Sequence, residues 1–556
     1  MSDSATTTLR GLWVSAVESS PSRPFLVFEA PDGSAVEWSY GEFDAAVDRV
    51  AARFARHGVG ATSGVHLALT NTPSFVAAWL AAMKLGSFIV PSDPMATSNE
   101  LADHMLRTHP AVGLCATTRS AVYRNAVAAT RSTQHVADPS RQHAEWNGVF
   151  AVIEVDEAST EVLPGEPAAG RVVSAPPGPL DRAAVMFTSG TTGRPKGVVI
   201  TQANYAFAGT TMAVAADLGP NDRQLVVLPL FHANAQYYSF ASAIAVGASV
   251  ALMHTFSASG FLGQAARHGA THASLFAGPM RMILSRGGPL GDDVGVTPLR
   301  LRHCWFAQNL AADQYEKLAD WFGCRPRQLY GMTETIPAVL TDAPDDPHCD
   351  SMGFVTSGCS VEIHDLAGCA VGPGVVGELV VGGRPGIELF GEYLDDPDTT
   401  AASFRDGWFL TGDRAWRDEN GRFHFDGRRA EVLKVSGENV SVVEVEATLS
   451  AHPGVLDVVV VGAPDPIRDE VPVAFVVPAQ RMTGAVQTHD SLIAELTAWS
   501  EAKLGKAKRP HRYVIVDELP RTSVGKIRKF MLAEAAAISQ HTPQHIAATD
   551  PLEVPS

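Results

Sequence analysis

The sequence predicts an α/β protein. A large N-terminal domain of mixed, mainly parallel sheets with helices is followed by a small α+β C-terminal domain. Three observations carry this expectation. The chain has 556 residues, more than one hydrophobic core usually supports. Strand-like and helix-like apolar runs alternate from residue 9 through residue 268, the pattern of βαβ units and parallel sheets. Beyond residue 428 the elements read as a separate small unit. The expected boundaries are 1–427 for the large domain and 428–540 for the small one. Residues 541–556, aperiodic and containing Pro, Thr and His, read as a disordered tail.

Bulk properties exclude several classes. Hydrophobic residues make up 46% and charged residues 19% of the chain, as in ordinary globular proteins. A formal net charge of −17 argues against nucleic acid or an acidic membrane surface as a partner. An anionic ligand must then be held by local positive charge. No apolar run reaches the roughly 18 residues of a membrane span, and the first residues lack the basic and apolar regions of a signal peptide. Six cysteines (Cys115, Cys304, Cys324, Cys349, Cys359 and Cys369) show no zinc-ligand spacing. They read as reduced thiols in a cytoplasmic protein.

The elements follow in chain order. Tyr40 to His57 carries Phe43, Ala46, Val47, Val50, Ala51 and Phe54 at helical spacing, with Ser39 as N-cap. Val65–Leu69 and Phe88–Pro91 read as buried strands on either side of a helix over Phe75–Leu85. Residues 131–148 are polar and weakly periodic, a surface excursion. Ala183 to Phe187 is a strand that breaks into Thr188, Ser189, Gly190, Thr191, Thr192 and Gly193, with Lys196 just beyond. Glycines let backbone N–H groups approach a ligand. Successive amides, hydroxyls and one ammonium make an anion-binding concavity suited to polyphosphate. The spacing is not that of a Walker A loop, because Pro195 stands where the second glycine should be. A helix over 203–216 and a strand over Leu225–Leu230 follow. His232 then sits where open α/β sheets place ligands, close to Asn234, Gln236, Tyr237 and Tyr238. Further strand and helix signals cover Ser249–Met253 and Phe261–His268. Phe306 to Leu310 contains Gln308 and Asn309. Gln328 to Thr335 has strand-to-turn character, with Gly331 permitting a tight backbone. A glycine-rich β region over Val376–Gly383 precedes Gly407 to Asp413. The small unit reads as helix 442–451, strands 455–462 and 471–477, helix 491–504 and strand 512–516. It ends in the basic segment Leu519 to Lys529.

These motifs in this order resemble the adenylate-forming superfamily of acyl-CoA synthetases, luciferases and adenylation domains. The texture is most similar to carnitine/crotonobetaine-type CoA ligases, on Tyr330–Ile336, Ser436–Ser441, His452–Gly462 and Ile467–Glu470. The resemblance implies an ATP-dependent, AMP-forming ligase. Thr188, Ser189, Gly190, Thr191, Thr192, Gly193 and Lys196 would cradle the phosphates. The Tyr330 ring would pack on adenine beside Gly331, Met332 and Gln308. Thr333 would bond the α-phosphate, and Glu334 would hold Mg²⁺, a hard cation matched to a hard oxygen ligand. Asp413 would accept the ribose hydroxyls, and Arg428 would reach the nucleotide. Ala430 falls at the family's hinge position. Ser436 and Gly437 would line a CoA tunnel. His232 would gate the carboxylate site, and Lys526 would meet both the carboxylate and the α-phosphate. Many relatives carry a Gly-Gly-Ala-Pro run where this chain has Phe306 to Leu310, which changes the adenine surroundings and one wall of the acyl pocket. His232, Asn234, Gln236, Tyr237, Gln308 and Asn309 together suit a small or polar carboxylate. The ATP motifs are equally compatible with a non-CoA acceptor in secondary metabolism: an amide ligase, or a diazotase activating nitrite for an aryl amine. The sequence leaves the oligomeric state open, a homodimer included.

Overall fold

The computed structural model describes residues 7–61, 63–133, 151–164, 175–188, 195–290, 298–428, 432–435, 438–465, 468–479, 489–521 and 527–538. Two large sheets form the body. One has six strands, in the order Ala151–Val155, Pro110–Ala116, Gly64–Ala68, Phe88–Pro91, Arg182–Thr188 and Lys196–Thr201. It is parallel up to its last pair, which is an antiparallel hairpin. The other has nine strands. Arg327–Tyr330, His303–Ala307, His272–Phe276, Arg223–Val226, Ser249–Met253 and Pro24–Glu29 run parallel within it, with antiparallel strands at both edges.

The main core draws side chains from both sheets and from the helix Pro73–Lys84. Every residue of that helix is buried, and all but Ser74 and Lys84 are apolar, as expected for a helix lying within a core. Its small alanines admit close neighbours, Trp79 fills space, and its end charge is matched because Lys84 reaches Asp48 at 2.6 Å. The N-cap foreseen at Ser39 is present, as part of a capping box with Glu42, and starts the helix Tyr40–Arg56.

Most predicted elements coincide with the observed ones. The strand expected over Leu225–Leu230 ends at Val226. Beyond it the backbone leaves the ladder, because the Asn71 amide bonds Leu228 O at 3.1 Å and accepts from Leu230 N at 2.8 Å. The polar run that follows is helical. Asn234–Ala241 forms a π-helix that passes directly into the α-helix Ser242–Val246. A helix not foreseen, Lys529–Ile538, closes the small unit and packs Leu532 and Ala536 into that unit's apolar cluster.

A third sheet of five antiparallel strands includes Gly377–Gly382, Trp408–Arg417 and Phe423–Arg428. The fourth sheet begins at Val432 and contains Val455–Asp465, Asp469–Pro478 and Arg512–Ile515. Among the described residues, no helix is long and apolar enough to cross a membrane. The tail 541–556 and most of the excursion at 131–148 lie outside the described residues.

Candidate active site

The site is built where the second and third sheets meet the hairpin of the first. Strands Arg182–Thr188 and Lys196–Thr201 pair so that Thr188 stands opposite Lys196, flanking the loop between them. Arg107, on the helix Ser98–Thr108, fastens the far side of that loop. It donates to Pro195 O at 2.7 Å and stacks over the Phe187 ring at 4.7 Å. The Lys196 ammonium lies 4.5 Å from the centre of the Tyr393 ring. The Tyr393 hydroxyl donates to Glu334 Oε1 at 3.1 Å. Burial, then the Glu334 carboxylate, raise the Tyr393 pKa, so the phenol stays protonated.

Glu334 is 5% exposed. It lies in the turn after strand Arg327–Tyr330, where Met332 N donates to Thr335 Oγ1 at 3.0 Å. Thr333 is half-buried in the same turn. Gly331 is required by close packing: a Cβ there would lie 2.8 Å from the Tyr238 hydroxyl and 2.9 Å from the Ala338 backbone. Tyr330 itself donates to Asp413 Oδ2 at 2.6 Å. Burial, then Asp413, hold this phenol well above its usual pKa. Asp413 and Arg428 are direct cross-strand neighbours, and Arg428 Nε donates to Asp413 Oδ1 at 3.0 Å. Tyr330 and Arg428 thus fix the plane of a carboxylate that is itself 4% exposed. Asp413 sits inside the strand Trp408–Arg417.

The pocket candidates divide. Gln236 donates to Leu230 O at 2.6 Å and accepts from Tyr205. The Tyr237 hydroxyl meets Met186 Sδ at 3.9 Å. Both are held by their own packing. Asn234 differs: it is 6% exposed, and neither amide atom has a hydrogen-bond partner among the described residues. The His232 ring lies tilted against Phe231, at 42° with ring centres 4.2 Å apart. Asn309 Oδ1 accepts from Gln328 Nε2 at 3.0 Å. Gln308 adopts φ 74°, a left-handed conformation that glycine takes more readily.

A family model described as AMP-binding enzyme matches residues 13–394, and one described as AMP-binding enzyme C-terminal domain matches residues 444–526. The chain is an AMP-binding enzyme. A crotonobetaine/carnitine–CoA ligase of Salmonella arizonae is 33% identical over 527 residues, covering 94% of this chain and 98% of that protein. The Citrobacter koseri enzyme of the same name is 31% identical, with the same coverages. Among solved structures, an anthranilate CoA ligase in complex with anthranoyl-AMP is similar at a TM-score of 0.81 and 23% identity, covering 96% of this chain and 98% of the other. A benzoate CoA ligase from Burkholderia xenovorans is similar at 0.79 and 23%, covering 95% and 99%. At these identities the two structures speak for the fold.

Several predicted residues of this AMP-binding enzyme lie outside the described ones: Ser189, Gly190, Thr191, Thr192 and Gly193, then Ala430, Ser436, Gly437 and Lys526. Two residues that shape the site were not foreseen. Tyr393 links Glu334 to Lys196, and Arg107 fastens the edge of the loop between Thr188 and Lys196. Neither stands in a recognisable motif. Only three-dimensional contact reveals them.

Proposed function

We propose that this AMP-binding enzyme is an ATP-dependent acyl-CoA ligase acting on a small or polar carboxylate. The observation that carries the reading is one run of polar contacts and turn residues, Arg428–Asp413–Tyr330, then Glu334–Tyr393–Lys196. The first group joins candidate ribose and adenine partners, and the second joins candidate metal and phosphate partners. Crotonobetaine/carnitine–CoA ligases as relatives support CoA as the acceptor. The buried Asn234 amide supports a polar acyl group: an unmet amide costs about 1–3 kcal/mol, which a hydrogen-bonding substrate would offset.

In the first half-reaction a carboxylate oxygen attacks the α-phosphorus of ATP, the bond to the bridging oxygen breaks and pyrophosphate leaves. Catalysis is mostly positioning and charge stabilisation. Lys196 and the loop from Thr188 hold the leaving phosphates. Thr333 donates to the α-phosphate, and Lys526 neutralises the attacking oxygen. The Glu334 carboxylate, buried and oriented by Tyr393, fits a hard cation, and Mg²⁺ bound there would offset polyphosphate charge. In the second half-reaction a thiolate of CoA attacks the acyl carbonyl, the mixed anhydride opens and AMP leaves. The small domain, 428–540, would turn about Ala430 relative to 1–427 between the two, bringing Ser436 and Gly437 to the thiol arm. Six unpaired thiols are in keeping with a reducing, cytoplasmic setting.

The test is AMP release from ATP with crotonobetaine, carnitine, benzoate, anthranilate and o-succinylbenzoate, with CoA varied and products identified by mass. A thioester whose formation rises with CoA is expected. AMP release that is flat across CoA for every acid that releases pyrophosphate would turn the reading to an amine acceptor or to nitrite activation.

A further inference from the structure

One carboxylate of the small unit holds two arginines, one from each side of the interface. Asp457, 7% exposed in strand Val455–Asp465, accepts from Arg281 NH1 at 3.2 Å through Oδ1 and from Arg521 NH2 through Oδ2. Arg281 stands on the helix Ala277–Arg286 of the large domain. Its other terminal nitrogen donates to Asn309 O at 3.0 Å, and the Asn309 side chain in turn accepts from Gln328 on the strand that ends at Tyr330. Arg521 stands at the base of the lysine loop. It pairs with Ile527, and Arg528 N donates to Pro520 O at 2.8 Å. Arg521 and Ile527, which flank the segment that carries Lys526, are therefore held together, and Asp457 holds Arg521.

We infer that Asp457 is a positioning residue for adenylate formation: it ties the root of the Lys526 loop to the adenine-side loop Gln308–Asn309 through Arg281. The physical case rests on charge. Two guanidiniums converge on one largely buried carboxylate, with side chains only 18% and 23% exposed beside one of 9%. Removing the negative charge leaves two cations facing each other in a poorly solvated interface, so attraction becomes repulsion. Burial, with Arg281 adding to it, already lowers the Arg521 pKa against the pull of Asp457. A second contact, Gln314 Nε2 to Leu456 O at 3.5 Å, lies beside the pair and carries no charge. A small displacement of the lysine loop is enough to matter, because a misplacement of about 1 Å can cost on the order of 100-fold in rate.

The inference rests on the proposed two-step reaction with Lys526 in the first step. It predicts that Asp457 matters to one half-reaction only. The full chain and the variants Asp457→Asn, Arg281→Gln and their combination are compared by ATP–pyrophosphate exchange, using whichever acid of the panel above releases pyrophosphate fastest. They are compared again by thioester formation from that acid's preformed adenylate and CoA. Each single variant should lower exchange by about tenfold or more, and the pair should be no worse than the weaker single, as members of one linkage behave. Thioester formation from the adenylate should stay within about twofold. Lys526→Ala, run alongside, separates the failures: if it leaves exchange intact, the two-step reading falls; if it abolishes exchange while Asp457→Asn and Arg281→Gln leave it near the parent rate, the inference alone falls. Equal losses in both half-reactions would also overturn it. Hydrogen exchange of the substrate-free chain gives a readout independent of the acid. Asp457→Asn should unprotect residues 527–531 and leave strand Asp469–Pro478 unchanged; unchanged protection at 527–531 overturns the inference. Should Asp457→Asn not fold, Arg281→Gln breaks the same linkage from the large domain.

Discussion

The Asp413–Tyr330 and Glu334–Tyr393 pairs show how single side chains here do two things at once. Each phenol donates to a buried carboxylate, which keeps the acid oriented and its charge compensated before ligand arrives. Glu334→Gln keeps the shape and the bond from Tyr393 but removes the charge a hard cation needs. Its pyrophosphate burst should require roughly tenfold more Mg²⁺, in line with the 10- to 100-fold typical of a weakened metal shell. An unchanged Mg²⁺ titration would remove Glu334 from the metal site. Lys526→Ala removes the one transition-state cation assigned to the attacking oxygen. The loss in adenylate formation should be on the order of 100-fold or more, whereas thioester formation from preformed adenylate should survive, which separates a catalytic from a structural role. The residues in recognisable motifs, such as Glu334, Tyr330 and Asp413, were legible because their chemistry is local in sequence. Tyr393, Arg107 and Asp457 were not, because each acts through long-range contacts that no spacing announces.

At the scale of elements, the segment after strand Arg223–Val226 is the most informative. In the sequence it offered only the polar candidates Asn234, Gln236, Tyr237 and Tyr238, yet Asn234–Ala241 forms a π-helix, a rare geometry that is common at functional sites. Nothing in the residue pattern distinguishes this wide turn from a loop, since the deciding contacts come from a neighbouring helix. In helix Gln202–Ala215, Gly209 lies so close that a Cβ would stand 2.5 Å from Ala241 O and 2.8 Å from its carbonyl carbon. Both are backbone atoms and cannot swing aside. Gly209→Ala should therefore push the π-helix outward, costing about 1–3 kcal/mol of stability by overpacking. Because Asn234 begins that segment, KM for the carboxylate should rise while KM for ATP stays near the parent value. An urea midpoint and a carboxylate KM both equal to the parent's would show that the contact is absent in solution. In the parallel sheets, by contrast, Val65–Leu69, Phe88–Pro91, Ala183–Phe187 and Ser249–Met253 were legible as short apolar runs, whereas Pro110–Ala116, His272–Phe276 and His303–Ala307 were not singled out.

At the scale of the whole molecule, a buried polar chain beneath the phosphate-loop hairpin connects fold stability to pH. Tyr123 OH meets His66 Nδ1 at 2.7 Å, His66 Nε2 meets Ser92 Oγ at 3.0 Å, and Ser92 Oγ meets His104 Nδ1 at 2.8 Å. His104 then stacks flat on Phe187, ring centres 3.9 Å apart, within the strand that enters the phosphate loop. Burial disfavours the imidazolium form, so the His66 pKa falls to about 3. That of His104 falls to about 4 for the same reason, with Asp103 and Glu100 pulling the other way and Arg107 reinforcing the drop. In the unfolded chain both return to about 6.5. Between these values the unfolded state binds more protons than the folded one, so stability rises with pH across the window. It is complete above about pH 6.5 and is lost progressively as pH falls toward 4, at about 1.4 kcal/mol per unit of depression for each ring. The melting temperature should accordingly fall between pH 7 and pH 5. His104→Gln, neutral at every pH in this range, should flatten that decline while lowering the plateau slightly through lost stacking on Phe187. If the variant and the parent lose stability over pH 7 to 5 with equal slope, the acid sensitivity belongs to other groups, and His303 and His272, also depressed by burial, are the next to substitute.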